Sequence, residues 1–400
     1  MSSTPTDATV VEESPLRSRH LRAPRRARTR LDPFPRSTTA RWMLRLAFSL
    51  PIALLVVLDQ LGPPLTGSPN ARLIETVAGI EWTRGDAQWL SSLYPHVTVL
   101  LASANPLGRL GLGLVAAIAA GFLLQKVCEI IAQRSIPRST GTILVIALAA
   151  NPLFAYFATE NLAGFLALTF FALAIADLVR FVNWGNTESG FRAGLLLMLS
   201  VLSDPTGVLF ATVAVLASPF LRHGRPPARG LRAANMLVIA FPSIGAFVTV
   251  SALSLLFFGT TAFDGLGAVL DGVPERATQL AASYSSPTGL LLAAPVLSAW
   301  LVAAIVRRPV AIPLSVVVFL LLNAAFLLGM IAPGSAGVTF TLLTILAIAL
   351  IPAARTLRQN LLVDLVAVVQ IAIAWTAALD RPIVVEWMTG IGSNVAALLG

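Results

Sequence analysis

Asp86 stands between Gly85 and Ala87 and is flanked by Trp82 and Trp89. A carboxylate held that way above a membrane cavity can act as a general base or as a ligand to a cation. It can equally well cap the helix that carries Trp89. Asp59, Glu160 and Asp204 share another peculiarity, since each falls at the end of an apolar run. An unpaired carboxylate is costly there and tends to face a polar cavity. Asp86, Glu160 and Asp204 are therefore expected to line one cavity and, if a divalent cation is used, to hold it.

Other chemistries have little to work with. There is no G-x-x-x-x-G-K-[ST] loop for nucleotide hydrolysis and no G-x-S-x-G nucleophile elbow. His20, His96 and His223 are scattered, which argues against a histidine metal cluster, and Cys128 alone excludes a disulfide framework. Gly108-Arg-Leu-Gly-Leu-Gly113 opens an apolar run and reads as close helix packing. Asp177 with Arg180, and Lys126 with Glu129, have the i,i+3 spacing of local ion pairs.

These residues sit in a chain that is 56% hydrophobic and 12% charged over 400 residues. Soluble domains carry about 25% charged residues, so no solvated surface can be built from this composition. The reading is an all-α, polytopic transmembrane helix bundle in a cell membrane. About eleven spans are expected, near 43–61, 109–131, 141–157, 160–182, 192–203, 206–221, 234–258, 288–306, 309–331, 337–353 and 360–379. The fifth and sixth are short and broken by Asp204-Pro205, as one helix turning back at depth or two short helices meeting there.

The net charge of +9 is unevenly placed. Residues 1–41 hold nine arginines among Pro, Ser and Thr and read as a disordered tail attracted to anionic lipid headgroups. The tail lacks interleaved aromatics, so nucleic acid is not an expected partner. With this tail in the cytoplasm, 23 of the 28 Lys and Arg residues fall inside, and the C-terminus lies outside. Eleven of the 19 acids then lie at or near the external side. Most of them serve only to solvate loops.

The longest external loop, 62–104, has internal order. Leu73, Ile74, Val77 and Ile80 share one face of an amphipathic helix over Asn70–Trp82, opposite Arg72, Glu75 and Thr76. The Trp82–Trp89 segment, Leu93-Tyr94-Pro95-His96 and a second apolar helix follow.

The order of these features resembles the GT-C superfamily of membrane glycosyltransferases, of the protein O-mannosyltransferase and aminoarabinose-transferase type. A basic start and one span precede a long loop with a juxtamembrane helix and an acid; Tyr94-Pro95, Asn151-Pro152-Leu153-Phe154, Thr159-Glu160-Asn161-Leu162 and Ser203-Asp204-Pro205-Thr206-Gly207 follow in family order. The resemblance covers residues 42–260, after the tail 1–41. Residues 261–400 would add C-terminal helices, with an external loop over 259–287 and a short external tail after Leu379.

The resemblance implies transfer of a sugar from a polyprenyl-phosphate donor to a cell-envelope acceptor at the outer face. Asp86 would deprotonate the acceptor or help hold a divalent cation, and Arg84, His96 or Arg276 would meet the donor phosphate. Many family members carry two adjacent acids in the first loop; here Asp86 stands alone, with Glu81 five residues away. An inactive relative that serves as a membrane subunit of an envelope-assembly complex, with a membrane protein partner, is the alternative reading. A transport pathway through Asp59, Asp364, Asn151 and Asn323 is a third.

Overall fold

The computed structural model describes residues 33–63, 65, 67–82, 93–221, 230–259, 266–287, 291–305, 311–331, 336–350 and 356–399. Among the described residues all regular structure is helical. The basic tail expected over 1–41 lies, as far as residue 32, outside them. Its last residues already belong to α1, Thr38–Gln60, which Ser37 starts by accepting a hydrogen bond from the Ala40 amide at 3.1 Å.

The first loop contains α2 (Pro69–Ala78) and α3 (His96–Ser103). Next come α4 (Gly108–Gln133), α5 (Arg138–Ala149), α6 (Pro152–Glu160) and α7 (Leu162–Trp184). α8 (Thr187–Ser203), α9 (Thr206–Ala217) and α10 (Leu231–Phe258) follow. The C-terminal part holds α11 (Leu266–Asp271), α12 (Val273–Ser285), α13 (Ala294–Ile305), α14 (Ala311–Leu327), α15 (Ala336–Leu350), α16 (Leu357–Leu379) and α17 (Pro382–Leu399).

Six of these, α1, α4, α7, α10, α16 and α17, are long and apolar enough to cross a membrane. α5 and α6 form a seventh candidate bent by 54°. Parts of α9, α13, α14 and α15 are apolar but shorter. Helices lie at the expected positions, but among the described residues six, or seven with the bent pair, have the length and apolarity of a span against the eleven expected, and there is one addition. Residues after Leu379, expected as a short external tail, form the 18-residue helix α17.

α7 is the central element, and its apolar side chains are buried along nearly its full length. Phe165 meets Phe154 and Phe157 edge-on at 5.6 and 5.5 Å, and Phe171 meets Phe210 of α9 at 5.6 Å. Asn161 caps α7 by accepting from the Gly164 amide at 3.0 Å, and Gly185 ends it in the left-handed region at φ 68°. The chain turns back at Asp204. Ser200 of α8 donates to the Ala167 carbonyl at 2.8 Å, whereas Phe210 of α9 reaches the deeper Phe171. The Asp204-Pro205 break is therefore a corner between two short helices, both lying against α7.

α1 lies against α4 through small residues. A Cβ on Gly113 would fall 2.5 Å from Val56 Cγ1, and one on Gly121 would fall 2.5 Å from the Arg45 carbonyl oxygen. Of the Gly108–Gly113 glycines Gly113 packs in this way, with Gly121 continuing the contact, whereas Gly108 has open space and Gly111 lies against the Asn105 side chain.

At the end of the bundle that carries the clustered arginines, the two expected local ion pairs are present and joined. Arg180 Nη1 lies 2.8 Å from Asp177 Oδ1, and Lys126 Nζ lies 3.0 Å from Glu129 Oε2. Arg180 Nη2 also bonds Glu129, which links α4 to α7. Arg192 of α8 closes on Asp177 with Nε and Nη2, at 2.5 and 2.9 Å. Glu129 and Asp177 are buried, so each needs these donors to offset its desolvation.

Replacing Gly121 with Leu should force α1 away from α4. Overpacking of this kind costs about 1–3 kcal/mol, so the variant should melt several degrees below wild type in detergent, while Gly245→Leu, where nothing approaches the Cβ position, should not.

Candidate functional site at the acid-rich end

The opposite end of the bundle carries a second buried ionic cluster. Asp59 lies in the last turn of α1 and accepts from Gln60 Nε2 and Arg109 Nη2, both at 3.2 Å. The same Arg109 nitrogen is 3.6 Å from Glu160 Oε1, at the end of α6. Glu160 is 1% exposed. One guanidinium thus sits between two carboxylates in a site of low dielectric, with the buried Ser68 hydroxyl and Asp59 also acting on Glu160, while Glu160 Oε2 and Arg109 Nε lack a well-formed hydrogen bond.

The fold brings these groups together through three helix ends. α1 finishes at Gln60, α4 begins at Gly108 and α6 stops at Glu160 because Asn161 starts α7. The loop helix α2 is fastened over them. Ser68 starts it by accepting from the Ala71 amide at 3.2 Å. Asn70 is buried; its Nδ2 donates to the Thr159 carbonyl at 2.9 Å, and its Oδ1 accepts from the Leu162 amide at 2.8 Å. One side chain therefore satisfies both backbone groups freed where α6 breaks into α7. Leu73 and Ile80 are buried and Ile74 and Val77 pack on the core, as the amphipathic pattern of the first loop predicts.

The expected site residues divide into three groups. Asp86 and Arg84, like Asp264 of the 259–287 loop, lie outside the described residues. Glu160 joins the cluster just described. Asp204, His96 and Arg276 have other work. Asp204 Oδ1 accepts from the Thr206 amide at 2.8 Å and from its hydroxyl at 2.5 Å, and so caps α9. His96 opens α3 and meets the Tyr94 ring edge-on at 5.8 Å. Arg276 Nε donates to the Leu327 carbonyl at 2.6 Å, and its Nη2 donates to the Val269 carbonyl. That guanidinium ties α12 to α14 and is occupied by backbone.

Tyr94 lies near Asp204 on the loop side. Its ring is exposed, while its hydroxyl turns in to donate to the Val201 carbonyl at 3.4 Å. Desolvation, and then the nearby Asp204 carboxylate, push the phenol up to about 12. It stays protonated at neutral pH and so keeps its proton to donate. Thr98 Oγ1 adds a bond to the Ser203 carbonyl at 2.9 Å, fixing α3 on the α8–α9 corner.

The described donors do not fit a divalent cation. Among the described residues no three His, Cys, Asp or Glu side chains converge. Arg109 already supplies positive charge between Asp59 and Glu160, and the partners of Asp204 are not those of Glu160. The four residues of the transport reading have different partners: Asp59 pairs with Arg109, Asn151 caps α6, Asn323 accepts from Tyr284, and Asp364 Oδ1 is buried without a hydrogen-bond partner.

Sequence reasoning missed Arg109 and Asn70. Arg109 was visible as an isolated external arginine at the mouth of a span, a position where a buried acid is the usual partner. Asn70 gave no signal beyond its place at the start of the loop helix. Comparison with known protein families, curated proteins and solved structures finds no match.

Removing Arg109 leaves two like charges buried face to face. Arg109→Met should cost about 3–5 kcal/mol, the usual loss when one partner of a buried pair is removed. Adding Asp59→Asn to the same chain should restore part of the loss. A double variant no more stable than Arg109→Met, measured by thermal unfolding in detergent, would contradict the coupling.

Proposed function

We propose that the protein is an integral membrane glycosyltransferase of GT-C-like design that transfers a sugar from a polyprenyl-phosphate donor to a cell-envelope acceptor at the external face. The observation that carries this reading is Glu160, buried beneath the first-loop helix with one oxygen unpartnered and Arg109 against the other. The reading takes the acid-rich end as external, the arginine-rich end as cytoplasmic, and membrane lipids as the surroundings of the bundle.

In this reading Asp86 takes the proton of the acceptor hydroxyl. The acceptor oxygen bonds to the anomeric carbon as the bond from that carbon to the phosphate oxygen breaks. The polyprenyl phosphate leaves with that electron pair. In this reading Arg84 and His96 meet the phosphate; Arg276 is omitted, because its guanidinium is held by the Leu327 and Val269 carbonyls. Arg109 and Glu160 set the field under the donor sugar, with Glu160 Oε2 as a hydroxyl acceptor. No step is routed through a divalent cation.

The test is transfer from a panel of polyprenyl-phosphate sugars by the purified chain in nanodiscs. General-base catalysis is worth about 10²–10⁴-fold, so Asp86→Asn should lower the rate by that factor, and Glu160→Gln should lower it while the chain stays folded. Undiminished transfer by Asp86→Asn removes that residue's role. No transfer from any donor removes the enzyme reading.

The structural use of Arg276, together with the single first-loop acid, favours a second reading: a non-catalytic membrane subunit of an envelope-assembly complex. Co-purification of a stoichiometric membrane protein partner, with no binding of lipid-linked sugar, would favour it over the first.

A further inference from the structure

Helix α17 passes the length and hydropathy test for a span, but with the lowest mean hydropathy of the six, 1.3. Its contacts do not follow the path of a span. Trp387 meets Tyr156 edge-on at 5.8 Å, one turn before the end of α6. Seven residues later, Asn394 Nδ2 donates to the Leu58 carbonyl at 2.8 Å, in the last turn of α1. Asn394 also lies against Gly62, beyond the end of α1, where a Cβ would come 2.9 Å from it.

Fourteen residues of helix rise about 21 Å. A hairpin returning through the membrane from Asp380 would put Asn394 near the level of the middle of α1. Instead both contacts are at the same end of the bundle, so the helix axis runs across that end.

The two faces of α17 agree with this course. Val384 and Trp387 are buried, and Ile383, Met388 and Ile391 pack beside them. They share a small core with Tyr156, with Ala377 and Ala378 of α16, and with Leu65 of the first loop. Glu386, Thr389, Gly390 and Ser393 are exposed on the other side. A helix facing lipid would present apolar groups there; a helix at the surface presents polar ones. The exposed Leu398 and Leu399 continue past α1, where they can enter the headgroup boundary.

We propose that α17 is an in-plane helix at the membrane surface, pinned by Trp387 at Tyr156, one turn before Glu160, and by Asn394 at Leu58, next to Asp59, so that together with α2 it closes off the Asp59–Arg109–Glu160 cluster and must lift for a ligand to reach Glu160. Its course in the plane stands on these contacts alone; its role as a cover for a ligand site rests on the function proposed above.

Two measurements separate these. In a Cys128→Ala background, single Glu386→Cys and Leu398→Cys chains are treated with a membrane-impermeant maleimide on oriented vesicles. Both cysteines should react from the same side; reaction from opposite sides makes α17 a span and overturns the proposal. Gly62→Cys combined with Asn394→Cys then allows the helix to be locked by oxidation. Carbodiimide modification of Glu160, read by mass spectrometry and independent of any sugar transfer, should fall about tenfold in the locked chain and return on reduction. Equal modification in both states overturns the covering role while leaving the in-plane course intact.

Discussion

The bundle depends on how α4 and α7 neutralise their charges in a low-dielectric interior. Glu129 on α4 and Asp177 on α7 are both buried, and Arg180 reaches both. A carboxylate at that depth is stable only with its donors in place, so the relative height and rotation of the two helices are set by this pairing. Arg192 brings α8 to the same Asp177. Gln125 extends the network to the Phe34 carbonyl and to Arg45 of α1, whose guanidinium lies 4.2 Å from the centre of the Phe122 ring. With that end fixed, the phenylalanine contacts along α7 carry the register to the other end, where Arg109, Asp59 and Glu160 meet.

The two ionic clusters differ in a way that matters for function. At the arginine-rich end both Glu129 oxygens and both Asp177 oxygens accept hydrogen bonds. Such a network holds helices together, and neither carboxylate keeps an oxygen without a donor, although Gln133 Oε1 and Arg180 Nε beside them are unpartnered. At the acid-rich end one carboxylate oxygen, Glu160 Oε2, lacks such a bond. A buried carboxylate oxygen without a donor costs free energy that a purely structural site would recover by a small rotation. The difference favours the acid-rich end as the place where something binds.

Local features of this fold were readable in the sequence, and long-range ones were not. The α2 face was legible because Leu73, Ile74 and Val77 recur at helical spacing. The corner at Asp204 was legible because Pro205 cannot continue a helix and an aspartate before it can cap the next one. The Arg109–Asp59 contact joins residues fifty positions apart, and no periodicity marks it. Arg276 shows the converse error. Its place in an external loop suggested a phosphate ligand, but the carbonyls at the end of α14 and in α11 claim it first. A guanidinium beside unsatisfied helix carbonyls has a partner before any substrate arrives.

α17 was the least legible element, for a physical reason. Gly390 and Gly392 lower its helix propensity, and its polar residues lower its hydropathy. An interfacial helix is by nature a weak signal on scales built to find spans, because only one of its faces leaves water. Here that face is covered by Tyr156, Ala377, Ala378 and Leu65. These side chains come from three separate parts of the chain and assemble only once α1, α6 and α16 are side by side. Trp387 therefore docks on a surface that the ion-paired bundle creates, at the same end of the bundle as Glu160.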